Sequence, residues 1–211
     1  SFRVSGKPFR ILFSSDSRYV AIFDAHTQQM KTWNLDTEMN GVSFRQRFPV
    51  TIVPLALAPD AKAIIGGRLG GYGSFRMIRP GTGVRTFKGI HSWTVQSTAW
   101  SPDGGHLASG DGSGLVVVHE DDEFKTTAQF KVHSSKATRL CFSASGKLLA
   151  SAGLEGDVVV TDFSSRQPPV RLKGHTDEVK TLRFSADGRR LATVSRDGTA
   201  RLWDLRGNPG R

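Results

Sequence analysis

Cysteine is almost absent from this chain of 211 residues, in which Cys141 is the single example. One thiol excludes an internal disulfide framework, and its place beside Phe142 in an apolar run predicts a small buried side chain. No run of 18 apolar residues occurs, so the sequence predicts no membrane-spanning helix. There is no signal-peptide pattern, but the chain begins at Ser1, so we expect a fragment or a processed form whose targeting segment, if it had one, has been removed. We expect a reducing compartment, the cytoplasm, or the nucleus if the source is a eukaryote.

Lys and Arg are missing from residues 89–124, which contain six Asp or Glu residues, although the whole chain has a net charge of +10. Residues 169–211 show the opposite balance, with ten Lys or Arg and five acids. Such a charge could serve solubility or an acidic partner such as nucleic acid, anionic lipid or an acidic peptide. Because no basic stripe rich in aromatics accompanies it, and because charge is segregated, the pattern favours orientation of a partner over binding of a uniform polyanion.

Helical spacing of apolar residues is also lacking, and the best-defined stretch, residues 169–211, is typical of short strands. Apolar and polar residues alternate over Val179–Phe184, and an Asp-Gly hairpin turn at 196–198 separates two further strands, Leu191–Ser195 and Thr199–Leu205. A short strand at Val170–Lys173 precedes them.

The same pattern recurs upstream. Equivalent strand ends lie 42, 42, 43 and 44 residues apart, at Phe184, Phe142, Trp100, Leu57 and Phe13. A turn of similar composition follows each of them, as in Ser185-Ala186-Asp187-Gly188, and an apolar strand follows the turn. A period of 40 to 45 residues with four strands is the signature of a β-propeller blade.

The last repeat carries the two dipeptides that identify a family. Gly174-His175 and Trp203-Asp204 match the defining positions of the WD-repeat β-propellers, and the chain resembles that family over essentially its whole length. Other repeats depart from it: Thr161 and His119 stand where the last repeat has Trp203. The resemblance implies an all-β propeller of four-stranded antiparallel blades.

We therefore predict one domain over 1–211, with blades at about 7–41, 42–83, 84–125, 126–168 and 169–211. Residues 1–6 are expected to form an N-terminal strand that completes the last blade and so removes two exposed sheet edges. Two arrangements remain open: a closed ring of five blades, or five blades of a larger propeller. The second is slightly favoured, because seven blades are commonest in the family.

Four residues of the last repeat could be interpreted as a catalytic site or as a structural hydrogen-bond network. His175, Ser195, Asp197 and Trp203 resemble a Ser-His-Asp site, but in the family these positions form a structural hydrogen-bond network. A buried indole and a buried imidazole each need a partner. No oxyanion loop or nucleophile elbow is present, so we expect no enzyme. We expect the network to be interrupted in earlier repeats, where Ser113 and Glu155 occupy the Asp197 position.

Two other patterns were weighed as ligand sites. The glycine-rich stretch 66–73 lacks the Gly-Lys-Ser/Thr of a phosphate loop, so a widened hairpin is predicted. The acidic run at 119–123 matches no metal motif and is interpreted as a solvated turn. No cofactor and no metal are expected.

A binding face is the remaining candidate site. By the repeat register, Trp93-Thr94, Lys136 and Glu178 occupy equivalent loops, and Gly112, Leu154 and Arg196 equivalent hairpins. Trp93 is either a filler between blades or an interface anchor. We predict contacts at Trp93, Thr94, Lys136, Glu178 and Arg196.

The function expected is a non-catalytic scaffold for a protein or peptide partner, as a monomer or within a larger chain or complex. Two alternatives remain: a regulatory repeat array of a larger kinase or NTPase, and an RNA- or chromatin-associated subunit. Nucleic acid is not favoured, and no membrane partner is expected.

Overall fold

The computed structural model describes residues 8–24, 26–27, 29–37, 43–44, 52–61, 63–68, 73–79, 83–120, 125–165 and 167–206. Within these ranges the chain forms strands and turns, and no helix is long and apolar enough to cross a membrane. The predicted N-terminal strand 1–6 lies outside the described residues.

Nineteen strands form five antiparallel sheets arranged in a ring, which confirms the predicted five-bladed β-propeller. The first sheet contains β1 (Pro8–Phe13), β2 (Tyr19–Asp24), β3 (Gln29–Asn34) and β4 (Ser43–Phe44). The second contains β5 (Ile52–Leu57), β6 (Ile64–Arg68), β7 (Phe75–Arg79) and β8 (Gly83–Phe87). The third contains β9 (Val95–Trp100), β10 (His106–Asp111), β11 (Leu115–Glu120) and β12 (Lys125–Lys131). The fourth contains β13 (Ala137–Phe142), β14 (Leu148–Gly153), β15 (Val158–Asp162) and β16 (Val170–Leu172). The fifth contains β17 (Val179–Phe184), β18 (Arg190–Ser195) and β19 (Ala200–Asp204).

Sheets and sequence repeats are offset by one strand. The strand β16, at the start of the last repeat, pairs with β15 and is the outermost strand of the fourth sheet. In the same way β8 is the outermost strand of the second sheet. Each sequence repeat after the first therefore contributes its first strand to one sheet and its other strands to the next, and so links the two sheets covalently.

The turn between the first and second strands is built alike in all five sheets. Its fourth residue has positive φ: Gly104, Gly146 and Gly188, and, without a glycine, Ser17 at 62° and Ala61 at 56°. In each turn this residue donates its backbone N–H to the carbonyl oxygen of the first turn residue, at 2.9 to 3.0 Å. The predicted turns are thus present even where glycine is replaced.

The core consists of apolar layers between neighbouring sheets rather than one central core. Four clusters occupy the seams between sheets one and two, two and three, three and four, and four and five. Among the described residues, no cluster of this kind joins sheet five to sheet one.

Candidate binding face

One face of the propeller is built from a repeated backbone contact between two kinds of loop. The hairpin between the second and third strands donates a backbone N–H to the loop that enters the first strand of the same sheet. The bonds run from Gly112 to the carbonyl oxygen of Thr94 at 3.0 Å, from Leu154 to that of Lys136 at 3.0 Å, and from Arg196 to that of Glu178 at 2.9 Å. We call this surface the hairpin face.

Neighbouring sheets also interlock on the hairpin face. A Cβ on Gly114 would lie 2.3 Å from the carbonyl oxygens of both His133 and Ser135, in the loop entering the fourth sheet. A Cβ on Gly156 would lie 2.7 Å from the carbonyl oxygen of His175. Both glycines also have positive φ, so the hairpin of one sheet fits closely against the entry loop of the next. The hairpin face is therefore a continuous arc over sheets three to five.

The structure places the predicted contact residues on this arc. Trp93 is 55% exposed beside the Gly112 hairpin, so it is not a buried filler between sheets. Lys136 and Arg196 are exposed, whereas Thr94 and Glu178 are half-buried. Sequence reasoning did not choose Leu154 as a contact, although it is 40% exposed between Trp93 and Arg196 in the arc.

Charges of both signs alternate along the hairpin face. Arg196 lies 4.0 Å from Asp177, and Glu178 forms an ion pair with Lys180. Lys136 has no ion pair with any carboxylate in the part of the chain that the structure describes. The arc therefore combines an exposed indole with mixed charge rather than with a uniformly basic surface.

A buried hydrogen-bond network supports the face in the fifth sheet. The His175 imidazole contacts Asp197 Oδ2 through Nδ1 at 2.9 Å and Thr193 Oγ1 through Nε2 at 2.8 Å. Trp203 Nε1 donates to the same Thr193 hydroxyl at 2.9 Å. Ser195 does not contact the His175 imidazole; its Oγ donates to the carbonyl oxygen of Asp177 at 2.8 Å and accepts the backbone N–H of Asp197 at 3.1 Å. Thr193 is the central residue that sequence reasoning missed.

Related networks are present in two earlier sheets, so the expectation that they are interrupted there is wrong. In the third sheet, His91 contacts Asp111 Oδ2 at 3.1 Å and Ser109 Oγ at 2.7 Å, and Ser109 Oγ lies 3.0 Å from His119 Nε2. Asp111, two residues before the expected position, supplies the carboxylate. His119 stands in the place of the tryptophan.

In the fourth sheet, His133 Nε2 contacts Ser151 Oγ at 2.8 Å. The carboxylate comes from Glu155, whose longer side chain accepts from Ser135 Oγ at 2.6 Å and approaches His133 Nδ1 to 3.5 Å. The hydroxyl at this position recurs with the 42-residue period, as Ser109, Ser151 and Thr193, which is a signal that the sequence did contain.

The surroundings of His91 and His133 disfavour the charged form of these two imidazoles. Burial lowers the pKa of His91 and of His133, although Asp111 and Glu155 act in the opposite direction. Burial, the largest single influence, would raise the pKa of Asp111, but hydrogen bonds from Ser113 and Leu115 and the proximity of His91 together lower that pKa. Because Ser109, His91 and Asp111 are all buried, this Ser-His-Asp set cannot reach a substrate and serves as a structural support.

Neither of the other patterns forms a ligand site in the described residues. Gly66 and Gly67 lie in β6, where a Cβ on Gly67 would be 3.1 Å from Leu55 Cδ1. Residues 69–72, where a widened hairpin is predicted, lie outside the described residues. His119 points into the buried network, Glu120 is exposed, and residues 121–123 are not described. No three His, Cys, Asp or Glu residues of the described chain are grouped as metal ligands.

Comparison with protein families gives one result. The family model for the WD domain, G-beta repeat (WD40), matches residues 81–120, 124–162 and 166–204, which is more than half of the chain. Residues 1–80, where the sequence repeats depart most from the pattern, lie outside these matches. A search of curated proteins gives no match. The three matched repeats and the five-bladed fold show that the chain belongs to the WD40 repeat family.

Proposed function

We propose that this protein is a non-catalytic scaffold that binds a protein or peptide partner on the hairpin face. WD40 propellers commonly bind protein partners and are generally non-catalytic. The observation that carries the proposal is Trp93, a large aromatic side chain that is 55% exposed on the hairpin face.

An exposed indole next to arginine is the composition of an interface hot spot. Trp and Arg dominate such sites, because each buries a large area and also offers a polar group for orientation. On the arc, Trp93 and Leu154 supply apolar surface, and Lys136 and Arg196 supply cations at the rim. A peptide with an apolar anchor and a neighbouring carboxylate fits this arrangement.

The distribution of charge favours such a peptide over nucleic acid. Asp177 and Glu178 lie on the arc beside Arg196 and Lys180, so the face offers no continuous row of cations for a phosphate backbone. A partner recognised here would therefore show weak dependence of affinity on salt.

The test is a selection of peptides from a display library on the complete chain, followed by affinity measurements on variants. We expect Trp93→Ala to weaken the selected peptides about 30-fold, as for a hot spot of about 2 kcal/mol. Val84→Ala is the control, because Val84 is an exposed apolar residue of the outermost strand of the second sheet. Its effect should stay within about twofold.

Two outcomes would overturn the proposal. Peptides that bind Trp93→Ala as well as the unmodified chain would place the site elsewhere. Selected ligands whose affinity falls steeply with salt would favour the nucleic-acid alternative.

A further inference from the structure

The first strands of all five sheets line a central channel. Its cavity has a volume of about 520 Å³ and walls of mixed character, in which apolar residues such as Leu55 lie beside polar ones such as Gln96 and Thr98. That volume lies within the range of small-molecule sites in proteins, roughly 300 to 1,000 Å³. The channel is separate from the hairpin loops that carry Trp93 and Arg196, neither of which lines it.

The charged residues that line the channel are all of one sign. Arg10 of the first sheet, Arg139 of the fourth and Arg183 of the fifth belong to its wall. Among the described residues of the wall there is no Asp and no Glu. Three guanidinium groups thus belong to the wall of one cavity.

Two of these arginines lie at the same level of the channel. Arg10 and Arg139 each precede by three residues the phenylalanine that ends the first strand, Phe13 or Phe142, and both strands pair in the same register there. Burial, and after it the positive charge of Arg139, lowers the pKa of Arg10. Arg10 and Arg139 are therefore close enough for their charges to interact.

Backbone carbonyl groups hold the other two guanidinium groups in place. Arg139 donates through Nε to the carbonyl oxygen of Lys180 at 2.7 Å and through Nη1 to that of Thr138 at 2.6 Å. Arg183 donates through Nη1 to the carbonyl oxygen of Leu182 at 2.9 Å. Neither forms an ion pair with a carboxylate of the described chain. Each guanidinium has five N–H donors, so both keep donors for a ligand.

We propose that the central channel binds a compact polyphosphate anion between Arg10, Arg139 and Arg183. Guanidinium groups bind phosphate through paired N–H donors. The three arginines approach from sheets one, four and five, and a phosphate chain offers oxygen atoms in all these directions. Attraction between the charge of the phosphate chain and these guanidinium groups is the driving force for binding.

The channel is accessible at the seam between sheets five and one. Ile11 and Phe13 belong to its wall and are 58% and 64% exposed. Arg183 projects from the side of β17 opposite to Leu182, which is buried against the fourth sheet, so Arg183 lies on the side of this seam. An anion can therefore reach the arginines without separating a packed pair of sheets.

The experiment is calorimetric titration of tripolyphosphate into the complete chain at low ionic strength, where surface charge is least screened. We expect Arg139→Gln and Arg183→Gln each to weaken binding at least about tenfold, the effect of losing one charged hydrogen-bond partner. Arg196→Gln is the matched control, because this arginine lies in the same sheet as Arg183 but outside the channel. It should change the affinity less than about twofold.

A second measurement separates lost binding from lost folding. Tripolyphosphate should raise the thermal unfolding temperature of the unmodified chain and of Arg196→Gln, and should not raise that of Arg183→Gln. Absence of heat and of any rise in the unmodified chain would overturn the proposal. An effect of Arg196→Gln as large as that of Arg183→Gln would also overturn it.

The phosphate could also come from a phosphorylated side chain of a partner. A phosphoserine peptide forms the second arm of the titration. If the peptide binds with the same dependence on Arg139 and Arg183 and tripolyphosphate does not, the proposal of a free anion is wrong. Peptides selected on the hairpin face should bind Arg183→Gln normally, so the two proposals can fail independently.

Discussion

Positions that are equivalent by the 42-residue register differ sharply between the packed seams and the seam from sheet five to sheet one. Val118, Val160 and Leu202 occupy the same place in the third strands of sheets three, four and five. The first two are 0% and 6% exposed, whereas Leu202 is 66% exposed. On the opposite side of the seams, Leu182 is 1% exposed and its counterpart Ile11 is 58% exposed.

The difference shows that the structure of one sheet depends on contacts within a repeat, whereas burial at a seam depends on the neighbouring sheet. The fifth sheet has the same turns, register and buried network as its neighbours, because these depend on contacts within one repeat. Burial of the face of the fifth sheet that is directed to sheet one depends on the neighbouring residues that pack against it. In repeat proteins, stability is approximately the sum of contributions from the repeats and from the interfaces between them. The seam next to sheet one therefore contributes least to stability, and it is where the channel opens.

The largest expected effect comes from placing a charge in each kind of seam. Val160→Asp buries an unpaired carboxylate between sheets four and five, and we expect it to lower the free energy of unfolding by more than about 4 kcal/mol. Leu202→Asp places the same group on the exposed face, and its effect should stay within about 0.5 kcal/mol. Denaturant midpoints compare the two variants. Similar losses would mean that the last seam is as well packed as the others.

A smaller effect should distinguish the two faces of the fifth sheet itself. Thr193→Val removes the hydroxyl shared by His175 and Trp203 in the packed face, and we expect a loss of about 1–3 kcal/mol. Thr181→Val makes the same change on the exposed face, where we expect almost no loss. Urea unfolding of both variants is the measurement. Equal midpoints would show that the network adds nothing to stability.

A third prediction concerns pH, since the buried imidazoles lie in the packed part of the molecule. The pKa of His91 and His133 is lower in the folded chain than the ordinary value of 6.5, so below about pH 6.5 the unfolded chain binds protons that the folded chain does not. Stability is therefore retained above this pH and lost as the pH falls. Denaturant midpoints at pH 7.5, 6.5 and about 5.5 should decrease in that order.

Substitution of one histidine measures its contribution to the pH dependence of the denaturant midpoint. His91→Gln should flatten the dependence of the denaturant midpoint on pH, because it removes one of the two imidazoles whose pKa burial lowers. A midpoint that does not change between pH 7.5 and about 5.5 would contradict the assignment of neutral buried imidazoles.

Much of each blade could be predicted from the sequence, because the alternation of apolar and polar residues in a strand and the residue types of a turn are properties of short segments. The strand predicted at Val179–Phe184 has those bounds in the structure, and the predicted turns recur in all five sheets. The carboxylate of the network in the third sheet could not be predicted from the sequence. Asp111 lies two residues before the position expected from the repeat, and only the geometry of the hairpin brings it to His91. For Thr193, the repeated hydroxyl was a usable signal.

The exposed seam could not be predicted from composition. Leu202 is as apolar as Val118 and Val160, so its sequence pattern is that of a buried strand. Likewise, the arginines of the channel are spread over residues 10, 139 and 183, and only closure of the propeller brings them into one cavity. The sequence predicts Trp93 as a contact, since a large aromatic residue in a polar loop is unusual, and its exposure in the structure is compatible with that prediction.

The most direct test of this account is the reactivity of a thiol in each seam. In a Cys141→Ser background, Leu202→Cys and Val160→Cys are each treated with a maleimide under native conditions, and labelling is followed by mass spectrometry. The account predicts that the variant at Leu202 is labelled about as fast as a free thiol, whereas the variant at Val160 is protected by about 100-fold or more, because it reacts only after local opening. Equal protection at both positions would contradict the central claim that, in the part of the chain that the structure describes, four seams are packed and the fifth is not.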